Sequence, residues 1–268
     1  MSDARSDTRI KQPDILVVAH GASLRGGNPA AIFVRRLRFL VPGKTVMLAF
    51  MRASPQIADV LAQMHHDRTR EMLVFPLFFS KGHLVKTELP AGLCDAGFGA
   101  ATLLPSAITL DGLADMMARR LRDHLAVRHR SGRESTLFVV THGLKTLMAP
   151  LPEILHLMAH IQTGLPELNI FNANIDGHPS LSDWRSKARG RHSVFLPLLT
   201  GGGVHAAQDV PALIAPGAGE DADILEPVGI WPELPSVLMA YIRCHFPGFE
   251  AEHILFGSER RVLCNTAI

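Results

Sequence analysis

One pattern of strand, histidine and glycine occurs twice in this chain, and it constrains the fold more than any other feature. His20 ends the apolar run Ile15–Ala19 and precedes Gly21; His142 ends Leu137–Thr141 and precedes Gly143, 122 residues later. In each half a second histidine lies 63 residues further on, His83 and His205. Each of these follows an apolar run that contains a proline and opens into glycine, Val74–Gly82 and Val194–Gly203. An acidic residue and a proline close each copy, as Glu88-Leu89-Pro90 and Asp209-Val210-Pro211. Such a duplication calls for two units of similar fold. Packing alone does not require histidines at strand ends in both. They point to imidazoles at the edge of a cleft, an arrangement suited to handling a metal.

Within each unit, strand-like runs alternate with helical patterns. Ile15–Ala19, Thr45–Phe50, Glu71–Phe79 and Thr102–Leu104 are short, apolar and bounded by turn residues, and they read as strands. Asn28-Pro29 opens a helix carrying Ile32, Phe33, Leu37 and Leu40 on one face; Ser54-Pro55 starts another, and Leu113–Leu125 is amphipathic. The second unit repeats this order, with strands at 137–141, 168–175, 193–199 and near Ile224. Its helices run from Ala149 to about Gln162, briefly after Pro179, and from Leu234 to Cys244. Strands separated by helices imply parallel βαβ units. The polar, basic stretch Arg128–Ser135 reads as the linker, giving an N-terminal domain at 10–128 and a C-terminal domain at 135–249. The expected fold is α/β, two tandem domains with parallel sheets flanked by helices. The tail beyond Phe249 has no counterpart in the first half.

Composition excludes several classes of function. With Lys+Arg 27 against Asp+Glu 25 the net charge is +2, too balanced for nucleic acid as the main partner. No apolar stretch approaches the roughly 18–20 residues that span a bilayer. The first twelve residues lack the apolar core of a secretory signal. Three scattered cysteines, Cys94, Cys244 and Cys264, argue against a disulfide framework or a thiolate metal site and fit a reducing cytoplasm.

In an open parallel sheet, ligands bind outside the carboxyl ends of the strands. His20, His83, His142 and His205 all read as following strands, so all four are expected on that edge. Neutral imidazole ligates divalent first-row metals, and two imidazoles with open coordination positions hold a metal without trapping it. Imidazole or carboxylate can also accept the two N–H protons that a macrocycle releases when it takes up a metal. His65, His66, His124, His129, His156, His160, His192, His245 and His253 lie on polar or helical stretches and read as surface or capping residues. His178, beside Asp176, reads as a supporting group.

Several short motifs, in order, resemble a known family. Val17-Val18-Ala19-His20-Gly21, Ala49-Phe50 ahead of Ser54-Pro55, Phe75-Pro76-Leu77-Phe78-Phe79 before Gly82-His83, and Glu88-Leu89-Pro90 look like the small class II chelatases. These insert cobalt or iron into sirohydrochlorin, for cobalamin or sirohaem. The resemblance covers roughly residues 13 to 247, as in the family's two-domain long form. It implies two flavodoxin-like, chelatase-like domains facing one another across a cleft that receives the tetrapyrrole, within one monomer. It implies no organic cofactor: the divalent metal, Co²⁺ or else Fe²⁺ or Ni²⁺, is a substrate.

Carried over residue by residue, the family pattern is asymmetric here. Its second histidine stands four residues before the acidic residue of an Asp-hydrophobic-Pro close, as do His205, Asp209 and Pro211. In the first half that place is Leu84, with His83 one residue earlier and Glu88 as the acidic residue. The family's carboxylate at the end of the second strand matches Asp176 in the second half and Arg52 in the first. The second half, with His142, Asp176, His205 and Asp209, therefore reads as the principal metal site; a single cleft shared with His20, His83 and Glu88 is the other arrangement. A substrate rich in carboxylates asks for basic residues, and Arg25, Arg52, Lys81, Lys86 and Lys145 are near expected strand ends. Gly202 and Gly203, within the Gly201–Gly203 triplet, would let backbone approach a flat ligand, or form a mobile loop or a phosphate nest. Two other readings stand beside the chelatase. A histidine phosphatase has an arginine before its nucleophilic histidine, where this chain has Ala19 and Thr141. A non-catalytic metal or tetrapyrrole binder diverged from the chelatases would fit the replacement at Arg52.

Overall fold

The computed structural model describes residues 14–21, 28–63, 72–146, 148–201, 203, 205–217, 219, 221–247 and 249. Arg25 and Gly202, two of the expected substrate-binding positions, lie outside them, as do Gly26, Gly27, His65, His66, His253 and Cys264. Among the described residues there are two four-stranded parallel sheets. The first has the order β2-β1-β3-β4, from β1 (Asp14–Ala19), β2 (Val46–Phe50), β3 (Met72–Pro76) and β4 (Thr102–Leu103). The second has β6-β5-β7-β8, from β5 (Ser135–Gly143), β6 (Asn169–Asp176), β7 (His192–Pro197) and β8 (Ala222–Ile224). The registers correspond: Val18 pairs with Pro76 in one sheet and Val140 with Pro197 in the other. This is the expected tandem α/β architecture in the flavodoxin strand order. It puts a topological switch point, where ligands bind such sheets, between β1 and β3 and again between β5 and β7.

Helices cover both faces of each sheet. They are α1 (Pro29–Leu40), α2 (Ile57–Gln63), α3 (Leu89–Asp95) and α4 (Leu113–Val127) in the first half. In the second half they are α5 (Pro152–Gly164), α6 (Trp184–Lys187), α7 (Val210–Ile214) and α8 (Leu234–His245). The central strands are therefore buried on both sides, which is why Ile15–Val18 and Leu137–Val140 are continuous apolar runs rather than alternating ones. Ile15, Val17, Leu137, Val139, Val194 and Leu196 turn into one core that also takes Phe33, Leu37, Met117, Leu121, Leu157, Ile161, Leu238 and Ile242. That core joins the two halves, with α1 packed on α8 and α4 on α5. Leu16, Val18 and Val74 face α2 and α3, while Phe138, Val140 and Phe195 face Trp184, Val210 and Ile214.

Polar contacts tie the seam at two places. Trp231, 1% exposed, donates Nε1–H to the Glu226 carbonyl at 2.9 Å, and the Arg120 guanidinium of α4 lies 4.6 Å from its ring centre. Arg120 also reaches Glu233 at 3.0 Å and Glu226 at 3.5 Å. At the far end of α4, the Asp223 carboxylate of β8 is held by His124 at 2.9 Å, by Arg128 at 3.6 Å and by Arg130. His124, read from the sequence as a surface or capping residue, is thus a half-buried partner in the seam. The basic linker is docked by its charges onto the second sheet.

Several details differ from the sequence reading. The β3 strand stops at Pro76 rather than Phe79, and α5 begins at Pro152 rather than Ala149. The helices α3 and α7 were not anticipated; the sequence reading took Pro90 and Pro211 only as the close of each copy. Each proline sits at the start of its α-helix, the position at which proline is best tolerated.

Trp231→Ala would empty a fully enclosed indole site at the seam and should lower unfolding free energy by about 3–5 kcal/mol. Arg120→Ala, which removes only a partly exposed cation, should cost about 1 kcal/mol. Urea midpoints of the two variants check this ranking.

Candidate active site

The two inner histidines reach the cleft by different routes. His142 lies within β5, one residue before the strand ends at Gly143. Gly143 has φ +71°, and a Cβ there would stand 2.0 Å from the Asp176 carbonyl oxygen. Glycine is therefore what lets β5 and β6 remain paired beside the histidine. His205 does not end a strand. It opens a single π-helical turn, His205–Asp209, that runs into α7. The first half has the same turn at Leu84–Glu88. Helical register thus puts Leu84, not His83, at the place of His205, and Glu88 at the place of Asp209. Such turns recur at functional sites because they re-aim side chains within a helix.

The turn brings His205 Nδ1 to 2.6 Å from Asp209 Oδ2. His142 Nδ1 lies 3.0 Å from the Gly143 carbonyl oxygen. Both acceptors favour the tautomer with hydrogen on Nδ1 and the lone pair on Nε2. The two Nε2 atoms then meet at 3.2 Å, with the rings edge-to-face at 85°. Two lone pairs at this distance repel unless a proton or a cation lies between them. Metal–nitrogen bonds of about 2.0–2.1 Å set two tetrahedral ligand nitrogens about 3.3 Å apart. The pair is already spaced as a chelate.

The first half is arranged otherwise. Glu88 Oε2 receives the Arg52 guanidinium at 2.5 Å, and His83 Nε2 is 3.7 Å from Glu88 Oε1. Its acidic residue is thereby neutralised by an arginine instead of orienting an imidazole. His20, at the end of β1, has its pKa held below the ordinary histidine value, first by burial, then by the Arg52 guanidinium and by His142.

All four histidines line one cleft of about 1600 Å³ that opens between the halves. Lys81, Lys86 and Gly203 also line it, while Arg52, Glu88, Asp176 and Asp209 do not. Asp209 contacts the cleft-lining His205. Asp176 ends β6, in register with Gly143. Among the described residues, no three His, Cys, Asp or Glu side chains gather around one point where a metal would sit. The described residues offer such an ion two imidazoles, His142 and His205, with its other positions left to water or to a ligand.

The sequence reading missed two groups on the cleft wall. His156 and His160, both taken as surface residues, project into it from α5. Thr141, Asn172 and Asn174 line it where the first half has Ala19, Leu48 and Phe50 at the matching register positions. Asn172 Nδ2 donates to the Val139 carbonyl at 3.0 Å and to Thr141 Oγ1 at 3.3 Å, and Thr141 Oγ1 donates to Asn174 Oδ1. Asparagines at two inward positions of an otherwise apolar strand were the available signal.

Residues 14–127 match the CbiX family model. The fold recurs in CbiX, the terminal enzyme for biosynthesis of siroheme in denitrifying bacteria. That structure is 25% identical with a TM-score of 0.68, and the match covers 87% of this chain and 99% of that one. It recurs in the sirohydrochlorin chelatase SirB from Bacillus subtilis subspecies spizizenii in complex with cobalt, at 14% identity and TM-score 0.62, covering 87% and 94%. It is also found in DR2241 from Deinococcus radiodurans, a multi-domain protein with structural similarity to chelatases, at 20% identity and TM-score 0.68, covering 86% and 55%. No curated protein matches the sequence. Residues 14–127 thus match the family that the motifs resemble, and the fold shared with the CbiX and SirB structures extends over both halves.

Proposed function

We propose that this chain is a chelatase that inserts a divalent metal into sirohydrochlorin, Co²⁺ in the first place and Fe²⁺ or Ni²⁺ otherwise, in cobalamin or sirohaem biosynthesis. The observation that carries this reading is the His142–His205 pair, with Nε2 atoms at 3.2 Å and Asp209 behind His205. The names of the structures that share the fold support the substrate class. In this reading the second half is the principal site. The metal is held by His142 and His205 on one side of the macrocycle, and two ligands bind it loosely enough to be surrendered to four pyrrole nitrogens. Lys81 and Lys86 receive peripheral carboxylates. His20, kept in its neutral form, accepts a macrocycle proton from the opposite wall. Arg52 is engaged by Glu88, so we assign it a supporting part, with Arg25 as a further carboxylate partner. We place Asp176 as a carboxylate near the pair and Glu88 and His83 as the weaker first-half set.

We further propose that the duplicated domains span 10–128 and 135–249, that the cleft closes within one monomer, and that the reaction takes place in the cytoplasm without an organic cofactor. Nucleic acid and membrane have no part in it; among the described residues no helix is long and apolar enough to cross a bilayer.

His142→Ala and His205→Ala should each abolish insertion, measured anaerobically as loss of the free-base sirohydrochlorin spectrum. Asp209→Asn should reduce it by about 10–100-fold, the usual effect of losing a group that orients a ligand. If His20→Ala and His83→Ala are the damaging pair, the site belongs to the first half. Stoichiometric metal binding with no acceleration of insertion by the wild type would mark a non-catalytic carrier instead.

The His20 imidazole should titrate below the ordinary histidine value, and Arg52→Met should move its midpoint upward by removing a nearby cation. NMR titration of the ring carbons follows both shifts.

A further inference from the structure

The cleft carries a second pair of imidazoles that the insertion reaction leaves unused. His156 and His160 lie four residues apart on α5, so they stand one above the other on a single helical face. Their ring centres are 4.5 Å apart and the rings cross at 79°. The His142–His205 pair has the same 4.5 Å separation and crosses at 85°. Glu153 precedes His156 by three residues, lines the same cleft, and uses Oε1 to accept the Lys81 backbone N–H at 2.8 Å. Asp111 and Asp115, where α4 begins, line the same cleft.

We propose that His156 and His160 form a second site for a divalent transition-metal ion, a loading position on the wall of the cleft. Two histidines at i and i+4 on one helical face are a recurrent chelate for zinc-like ions. Imidazole selects first-row transition metals over magnesium or calcium, which prefer oxygen ligands. Both side chains are exposed, so a hydrated ion reaches them without rearrangement of the chain. Since no third donor is gathered with them among the described residues, water fills the remaining positions and exchange is fast. Glu153, Asp111 and Asp115 attract the cation without closing around it. A metal captured there shares a continuous cavity with His142 and His205, so transfer requires diffusion only within the cleft. The transfer role rests on the proposed chelatase reading; the binding site itself does not.

The test uses the full-length protein and Co²⁺ alone, followed by equilibrium dialysis and by visible d–d absorption. His156→Ala/His160→Ala should lose one equivalent relative to the wild type and keep the absorption of the inner pair. His142→Ala/His205→Ala should lose a different equivalent and keep the α5 signal. Alanine is a strong helix former at these exposed positions, and an unchanged far-ultraviolet circular dichroism spectrum checks that α5 remains. If the α5 double variant binds the same number of equivalents with unchanged spectrum, the second site is overturned. If it loses its equivalent while the inner double variant loses none, the loading site stands and the chelatase reading of His142 and His205 falls. With both sites present, insertion by the α5 variant should fall several-fold at limiting Co²⁺ and recover at saturating Co²⁺. Equal rates at limiting metal would leave a binding site with no part in transfer and overturn the loading role.

Discussion

The cleft depends on the apolar seam between the halves. Each sheet buries one face outward, under its own short helices, and the other inward against helices that both halves contribute. Because α1 meets α8 and α4 meets α5, the two sheets are held by a single close-packed core rather than by a mobile hinge. Trp231 with Arg120, and Asp223 with its basic partners, fasten the edges of that core. Strand ends from two separate sheets thereby line one cavity, and histidines far apart in the chain share it.

Within this frame the two copies have diverged in electrostatics rather than in backbone. Both have the π-helical turn, the following proline helix and the same strand register. In the second copy the carboxylate on the turn orients an imidazole, whereas in the first it is taken by Arg52. One difference at the end of the neighbouring strand, Arg52 just past β2 against Asp176 at the end of β6, accompanies this change in the carboxylate's partner. The second copy has also acquired a buried polar cluster, Thr141, Asn172 and Asn174, behind its histidine. Lone pairs facing each other at 3.2 Å are poorly satisfied without a cation or proton. A pair of that kind suits an ion that must be bound and then given up.

Much of the fold was legible because parallel strands buried on both faces are written as short apolar runs, and duplication let each half corroborate the other. The missed helices α3 and α7 show the limit of local reading. A proline in a first turn and a proline that ends a helix look alike until the turn before it is known to be π-helical. His156 and His160 were passed over for a related reason: their spacing marks a shared helical face, but spacing does not reveal which faces line a cleft.

The sequence by itself determined the two-copy α/β architecture, the placing of His20 and His142 at strand ends, and the mismatch between His205 and Leu84. The first two follow from hydrophobic period and strand-end position, which are local properties, and the third from the spacing of the motif that resembles the chelatases. Only the tertiary structure decided that His142 and His205 touch, that Arg52 takes Glu88, and that α5 turns its histidines into the cavity. Those facts depend on how one sheet sits against the other, and that placement is set by packing among side chains remote from one another in the chain.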